Sequence, residues 1–101
     1  MVSRYRTGAD AERKAVLQLK SEGWDIVIRS AGSKSAFDVV ALRRSGVLAL
    51  QVKHDKSGKR SHGEALANLS EAAHGLPGNA RAELWISVPR QGFRRLRALG
   101  D

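Results

Sequence analysis

Ala36-Phe37-Asp38-Val39-Val40-Ala41-Leu42-Arg43-Arg44-Ser45-Gly46-Val47-Leu48-Ala49-Leu50-Gln51-Val52-Lys53 holds two apolar runs of strand length. The runs, Ala36 to Arg43 and Val47 to Lys53, flank Ser45-Gly46, and a small flexible pair between β-branched runs predicts a hairpin. Side chains alternate along a strand. Val47, Ala49, Gln51 and Lys53 therefore share one face of the later strand, and Leu48, Leu50 and Val52 the other. On the earlier strand Asp38, Val40 and Leu42 share a face. A turn of two or four residues brings Asp38 opposite Gln51 or Lys53, with all three on one side of the sheet; a three-residue turn divides them.

Outward from the hairpin, the chain alternates helices and strands. Thr7-Gly8-Ala9-Asp10 opens a helix running to about Ser21, capped by Thr7 or Asp10 and closed by Gly23. Ala9, Ala15, Val16 and Leu19 mark its core-facing stripe, and Glu12 falls within that stripe at 100° per residue. Trp24 to Ile28 reads as a strand, and Arg29 to Ser35 as a small, polar loop. His54 to His62 reads as an exposed, mobile basic loop. Gly63 to His74 is a second helix, with Leu66, Leu69 and Ala73 on its core or on an interface. Ala82 to Val88 is a further strand, and the Arg-rich tail from Pro89 finishes as a short strand or a basic helix. Trp24, Phe37 and Trp85 belong to the core. This order predicts an α/β fold with one mixed β-sheet flanked by helices, in a single domain over residues 1–101.

Composition narrows the partner. Eighteen Lys and Arg against ten Asp and Glu give a net charge of +8 on 101 residues. Such an excess favours a polyanion, and phosphate backbones are the usual one. Lys34, Lys56, Lys59 and Arg60 are expected to meet phosphates rather than to be idle solvated charge. There is no cysteine, so a disulfide framework and cysteine-based zinc sites are excluded. No membrane-spanning run or amphipathic basic helix is evident, and no apolar signal stretch opens the sequence. The expectation is an intracellular protein with no membrane partner.

An acid, an amide and an ammonium among Val, Leu and Ala neighbours need partners, and a hydrated metal is one. Phosphodiester hydrolysis requires a nucleophilic water, neutralised phosphoryl oxygens and help for the leaving oxygen. Mg²⁺ held by one or two carboxylates supplies part of this, and a lysine beside it can polarise the water. For Glu12 alone, an ordinary helix-dipole acid is the better reading. Beside Asp38 and Gln51-Val52-Lys53 it becomes a candidate ligand.

Tyr5-Arg6-Thr7-Gly8-Ala9-Asp10-Ala11-Glu12-Arg13 resembles the opening of archaeal-type Holliday-junction resolvases of the PD-(D/E)xK nuclease superfamily. Arg29-Ser30-Ala31-Gly32-Ser33-Lys34, Asp38, Val52-Lys53, Trp85-Ile86-Ser87-Val88 and Gly92-Phe93-Arg94 match that family in order and spacing. The resemblance implies a restriction-endonuclease-like fold and metal-dependent cleavage of four-way DNA junctions by a homodimer making paired symmetric nicks. It implies that Glu12, Asp38 and Gln51 hold Mg²⁺, with Mn²⁺ as the alternative ion, and that Lys53 is the catalytic lysine. Arg6 lies in the matched opening and is assigned to DNA binding. Arg13 and Arg29 would contact DNA or support the site, and Ser30 and Ser33 would belong to an active-site loop.

One position departs from the family, which usually has Glu where this chain has Gln51. The amide removes a negative charge and should weaken metal affinity. Asp55 shares strand parity with Gln51 and Lys53, so it is a candidate to restore that charge. Two other readings stand beside junction resolution: a nicking or repair nuclease of duplex DNA, and a junction-binding protein with weakened catalysis. His54 and His62 are read as DNA contacts or surface residues.

Overall fold

A computed structural model describes residues 4–30 and 36–98, with side chains for 9–30 and 36–98. Chain order is α1 (Arg4–Ser21), β1 (Ile26–Arg29), β2 (Val39–Arg43), β3 (Gly46–His54), α2 (Gly63–Ala73), β4 (Ala80–Val88) and β5 (Gly92–Arg97). The strands form one sheet in the order β1-β2-β3-β4-β5. Only β3 and β4 pair in parallel, joined by the α2 crossover, and the other neighbours are antiparallel. The mixed α/β architecture is the expected one.

Helix α1 packs across β1, β2 and β3, and α2 packs against β4. On the α1 side, Ala11, Ala15 and Leu19 bury against Trp24, Val39, Ala41, Leu48, Leu50, Val52 and Trp85. On the other side, Leu69 and Ala73 of α2 meet Ala82, Leu84, Ile86 and Val88, with Phe37 and Leu66 partly buried on the rim. Trp24 and Trp85 are core as expected, although only Trp85 lies in a strand, and Phe37 packs on the rim of the α2-side cluster just before β2. The buried stripe of α1 is Ala11-Ala15-Leu19, with Val16 partly covered, so Glu12 lies on its flank rather than in its middle.

Several boundaries differ from the sequence reading. Helix α1 begins at Arg4, so positions 7 and 10 lie within the helix rather than at its start. Its C-terminus is as expected. Gly23 takes φ +93°, its N–H donates to Lys20 O at 3.2 Å and the Trp24 N–H donates to Leu19 O at 3.2 Å. These are the two bonds of a Schellman stop, with Leu19 and Trp24 in the same core cluster. The β2–β3 turn is Arg44-Ser45, because Arg43 already pairs with Gly46. Gly46 is needed for a different reason: a Cβ there would lie 2.7 Å from the Asn79 carbonyl oxygen at the entry to β4. The tail forms strand β5. Its Arg95 lies over the Trp85 ring at 4.1 Å and pairs with Glu22 of α1, so part of the basic surplus is structural. Among the described residues no helix is long and apolar enough to cross a membrane.

Candidate active site

The two-residue turn fixes hairpin register, with Val39 opposite Leu50 at its open end. Within the strands alternation holds: Val39 and Ala41 join Leu48, Leu50 and Val52 on the α1 side. It fails at Asp38. Phe37 packs with the α2-side cluster and Val39 with the other, whereas residues two apart in a regular strand share a side. The chain bends there, and face-counting does not extend to Asp38.

Direct bonds orient Asp38 instead. Its N–H donates to Leu50 O at 2.7 Å, and its carbonyl accepts the Ser30 N–H at 2.8 Å. Its Oδ2 accepts the Val52 N–H at 2.8 Å. The carboxylate is thereby pinned to β3 between the positions of Gln51 and Lys53. Burial pushes its pKa above the ordinary value, opposed by the Val52 amide. The Glu12 charge raises it further, and Lys53 and Arg29 pull it back. Those three side chains thus lie close enough to act on Asp38 electrostatically.

Glu12 comes from α1 and is held by β1: Arg29 Nε donates to Glu12 Oε1 at 2.8 Å, both side chains mostly covered. Gln51 is half-buried, and its Oε1 is a buried acceptor with no donor among the described residues. Such an atom is costly unless something else supplies a partner. Lys53 is exposed at the end of β3. No group of three His, Cys, Asp or Glu side chains suited to a metal occurs among the described residues. The donor set of two carboxylates and an unpartnered amide oxygen fits a hard, oxygen-seeking divalent cation.

The remaining expected residues divide. Ser30 is half-buried and engages Asp38 through its main chain. Arg13 is exposed and pairs with Asp10 at 3.3 Å. Lys56, Lys59 and Arg60 are exposed on the segment after β3. The Arg6 side chain, Ser33 and Lys34 lie outside the described residues.

Asp55 does not restore the missing charge. It is 1% exposed, and both oxygens are engaged by its own loop. Oδ1 accepts the Ser57 N–H at 3.1 Å, the Ser57 hydroxyl at 2.9 Å and the Gly58 N–H at 3.0 Å. Oδ2 accepts the Arg60 N–H at 3.0 Å and faces His62 Nε2 at 3.2 Å. Burial alone would raise its pKa. The bonds from Ser57, His62 and the Arg60 and Gly58 amides outweigh burial and hold the carboxyl well below the usual range. His62 is thus half-buried and anchored rather than a free surface histidine, and the segment is organised rather than loose. Asp-x-Ser-Gly at 55–58 is a turn signature that pointed to this arrangement.

A profile described as archaeal Holliday junction resolvase (Hjc) matches residues 3–95. The chain belongs to this family. Among solved structures it is similar to Archaeoglobus fulgidus Hjc, described as a Holliday junction resolvase from an archaeal hyperthermophile. The two share 26% identity with a TM-score of 0.69, over 91% of this chain and 73% of that one. Hjc resolvases are nucleases, and the bent Asp38, the Gln51-Val52-Lys53 strand end and the helical Glu12 lie within the span of the family match.

Proposed function

We propose that this chain is a divalent-metal-dependent endonuclease that resolves four-way DNA junctions by paired symmetric nicks, working as a homodimer. One observation carries the reading: the Asp38 carboxylate is pinned on the Val52 amide, in the middle of the Gln51-Val52-Lys53 run whose Gln51 oxygen is buried and has no donor among the described residues. Family membership supports the substrate, and the +8 charge supports a polyanionic partner. The half-exposed Ile26 and Ile28, on the face of edge strand β1 opposite Val27 and α1, support a second copy covering that face.

In this mechanism Glu12, Asp38 and Gln51 would hold Mg²⁺ or Mn²⁺. The ion, when bound, neutralises phosphoryl charge and lowers the pKa of a ligated water. Lys53 donates hydrogen bonds to the attacking water or to a phosphoryl oxygen, stabilising charge that grows in the transition state. Arg29 keeps Glu12 oriented, and the Val52 amide keeps Asp38 oriented, so neither carboxylate must be ordered when substrate arrives. Ser30, Ser33 and Lys34 border the site in sequence, and Arg6, Arg13, Lys56, Lys59 and Arg60 engage phosphates around it.

Gln51 favours a second reading. With an amide in the donor set and Arg29 drawing on Glu12, the site carries less negative charge, which suits a junction-binding protein that cuts slowly. A junction gel shift in Ca²⁺ run beside cleavage in Mg²⁺ separates the two. Resolution predicts symmetric product; tight binding without product overturns it in favour of the second reading.

A further inference from the structure

We propose that Asp55 is the positioning residue of a preformed phosphate-gripping loop, residues 55–62, which holds Lys56, Lys59 and Arg60 beside the Asp38–Lys53 centre. The inference rests on the junction-binding part of the proposed function for the identity of the polyanion and goes beyond it in assigning how the grip is built.

The loop is folded around one side chain. Asp55 gathers the main-chain N–H groups of Ser57, Gly58 and Arg60, together with the Ser57 hydroxyl and His62. With the amides turned inward, the side chains of Lys56, Lys59 and Arg60 stand in solvent. The assembly is also fastened to the sheet. The Asp55 N–H donates to Ser87 O at 2.9 Å, and Arg94 Nη1 donates to Gly58 O at 3.5 Å. Gly58 permits the turn: it takes φ +71°, and a Cβ there would lie 3.0 Å from Val88 Cγ1.

Position explains the purpose. Lys56 follows Lys53 by three residues, so their Cα atoms are at most about 10 Å apart. That places Lys56 within reach of phosphates neighbouring the one presented to Lys53, and the fold of the loop around Asp55 carries Lys59 and Arg60 on the same segment. A basic segment lacking the carboxylate would have to be ordered upon binding, at an entropic cost to affinity. Asp55 removes that cost beforehand, spending one buried negative charge to fix three exposed positive ones.

The test is junction affinity in Ca²⁺ for the full chain, measured across a salt series. Asp55→Ala is expected to weaken binding about tenfold and to flatten the log Kd–log salt slope by roughly two, since fewer phosphates are neutralised. The triple variant Lys56→Ala, Lys59→Ala, Arg60→Ala should do the same, and adding Asp55→Ala to it should change Kd by less than about twofold, because both act through one contact set. Ser57→Ala, which removes the hydroxyl bond to Asp55 and the acceptor of the Lys59 N–H while leaving the other bonds to Asp55 in place, should weaken binding by about threefold in wild type and leave the triple variant unaffected. It decides the matter by the same coupling if Asp55→Ala does not fold. An unchanged slope in the single variants, or effects that multiply in the combinations, overturns the proposal. Wild type that binds but does not cut defeats the nuclease reading and leaves this one standing. Wild type that binds no DNA defeats both.

Discussion

Asp38 Oδ2 accepts the main-chain N–H of Val52 at 2.8 Å, tying the residue that precedes β2 to the middle of the Gln51-Val52-Lys53 run. A backbone amide is a fixed donor, so the carboxylate keeps its place whether or not a cation or a phosphate is present. The same bond ties the site to the core, because the Val52 side chain points the other way, into the cluster beneath α1.

Holding an acid there costs stability, and the sign can be worked out. Burial raises the Asp38 pKa in the folded chain, so the native state binds its proton more tightly than the unfolded state. The penalty is absent below the unfolded value of 3.8, grows as pH rises through the folded value, and is fully present near neutrality. Asp38→Asn keeps an acceptor for Val52 and carries no charge. It should raise Tm at pH 7 by a few degrees, with the gain disappearing below pH 3.8. Thermal unfolding at several pH values checks this; a lower Tm at neutral pH contradicts it.

Asp55 behaves oppositely. Its folded pKa is depressed, so its contribution is present above 3.8 and is lost as pH falls through the folded value. The amides of Gly58 and Arg60 should therefore remain protected from hydrogen exchange in mild acid and open only below pH 3.8. Loss of protection at pH 5 would show that the carboxylate does not organise the loop.

Gln51→Glu puts a negative charge on the side chain whose buried amide oxygen lacks a donor among the described residues. Mg²⁺ affinity, read by calorimetry on the DNA-free protein, should rise by about tenfold, a gain of roughly 1.4 kcal/mol. Unchanged affinity would remove Gln51 from the ligand set.

Gly46→Ala should be destabilising without touching the chemistry. Its Cβ would meet the Asn79 oxygen at 2.7 Å, and that oxygen also accepts the Val47 N–H. Backbone cannot give way as a side-chain end can, so the cost should be about 1–3 kcal/mol. Chemical denaturation measures it directly.

Much of this was legible in the sequence, for physical reasons. Apolar alternation and a flexible pair gave the β2–β3 hairpin, and Gly23 after an apolar helical stripe gave the stop of α1. The start of α1 was misread because Thr7 and Asp10 have capping chemistry, which local sequence cannot distinguish from an early turn of a longer helix. Strand parity was a sound guide up to Val39 and failed at Asp38, where a bend depends on bonds to Ser30, Leu50 and Val52, all distant in sequence or across the sheet. Asp55 was the larger miss. Parity made it resemble a ligand, whereas the Asp-x-Ser-Gly turn two residues past Lys53 was the stronger local signal and marks a loop that closes on its own carboxylate.

The most direct measurement is cleavage of a synthetic four-way junction by wild type, Asp38→Asn and Lys53→Ala, with and without Mg²⁺. The account predicts paired symmetric nicks from wild type only when Mg²⁺ is present, and junction binding without product from both variants. Metal-independent cutting, or wild-type rates from either variant, would contradict it.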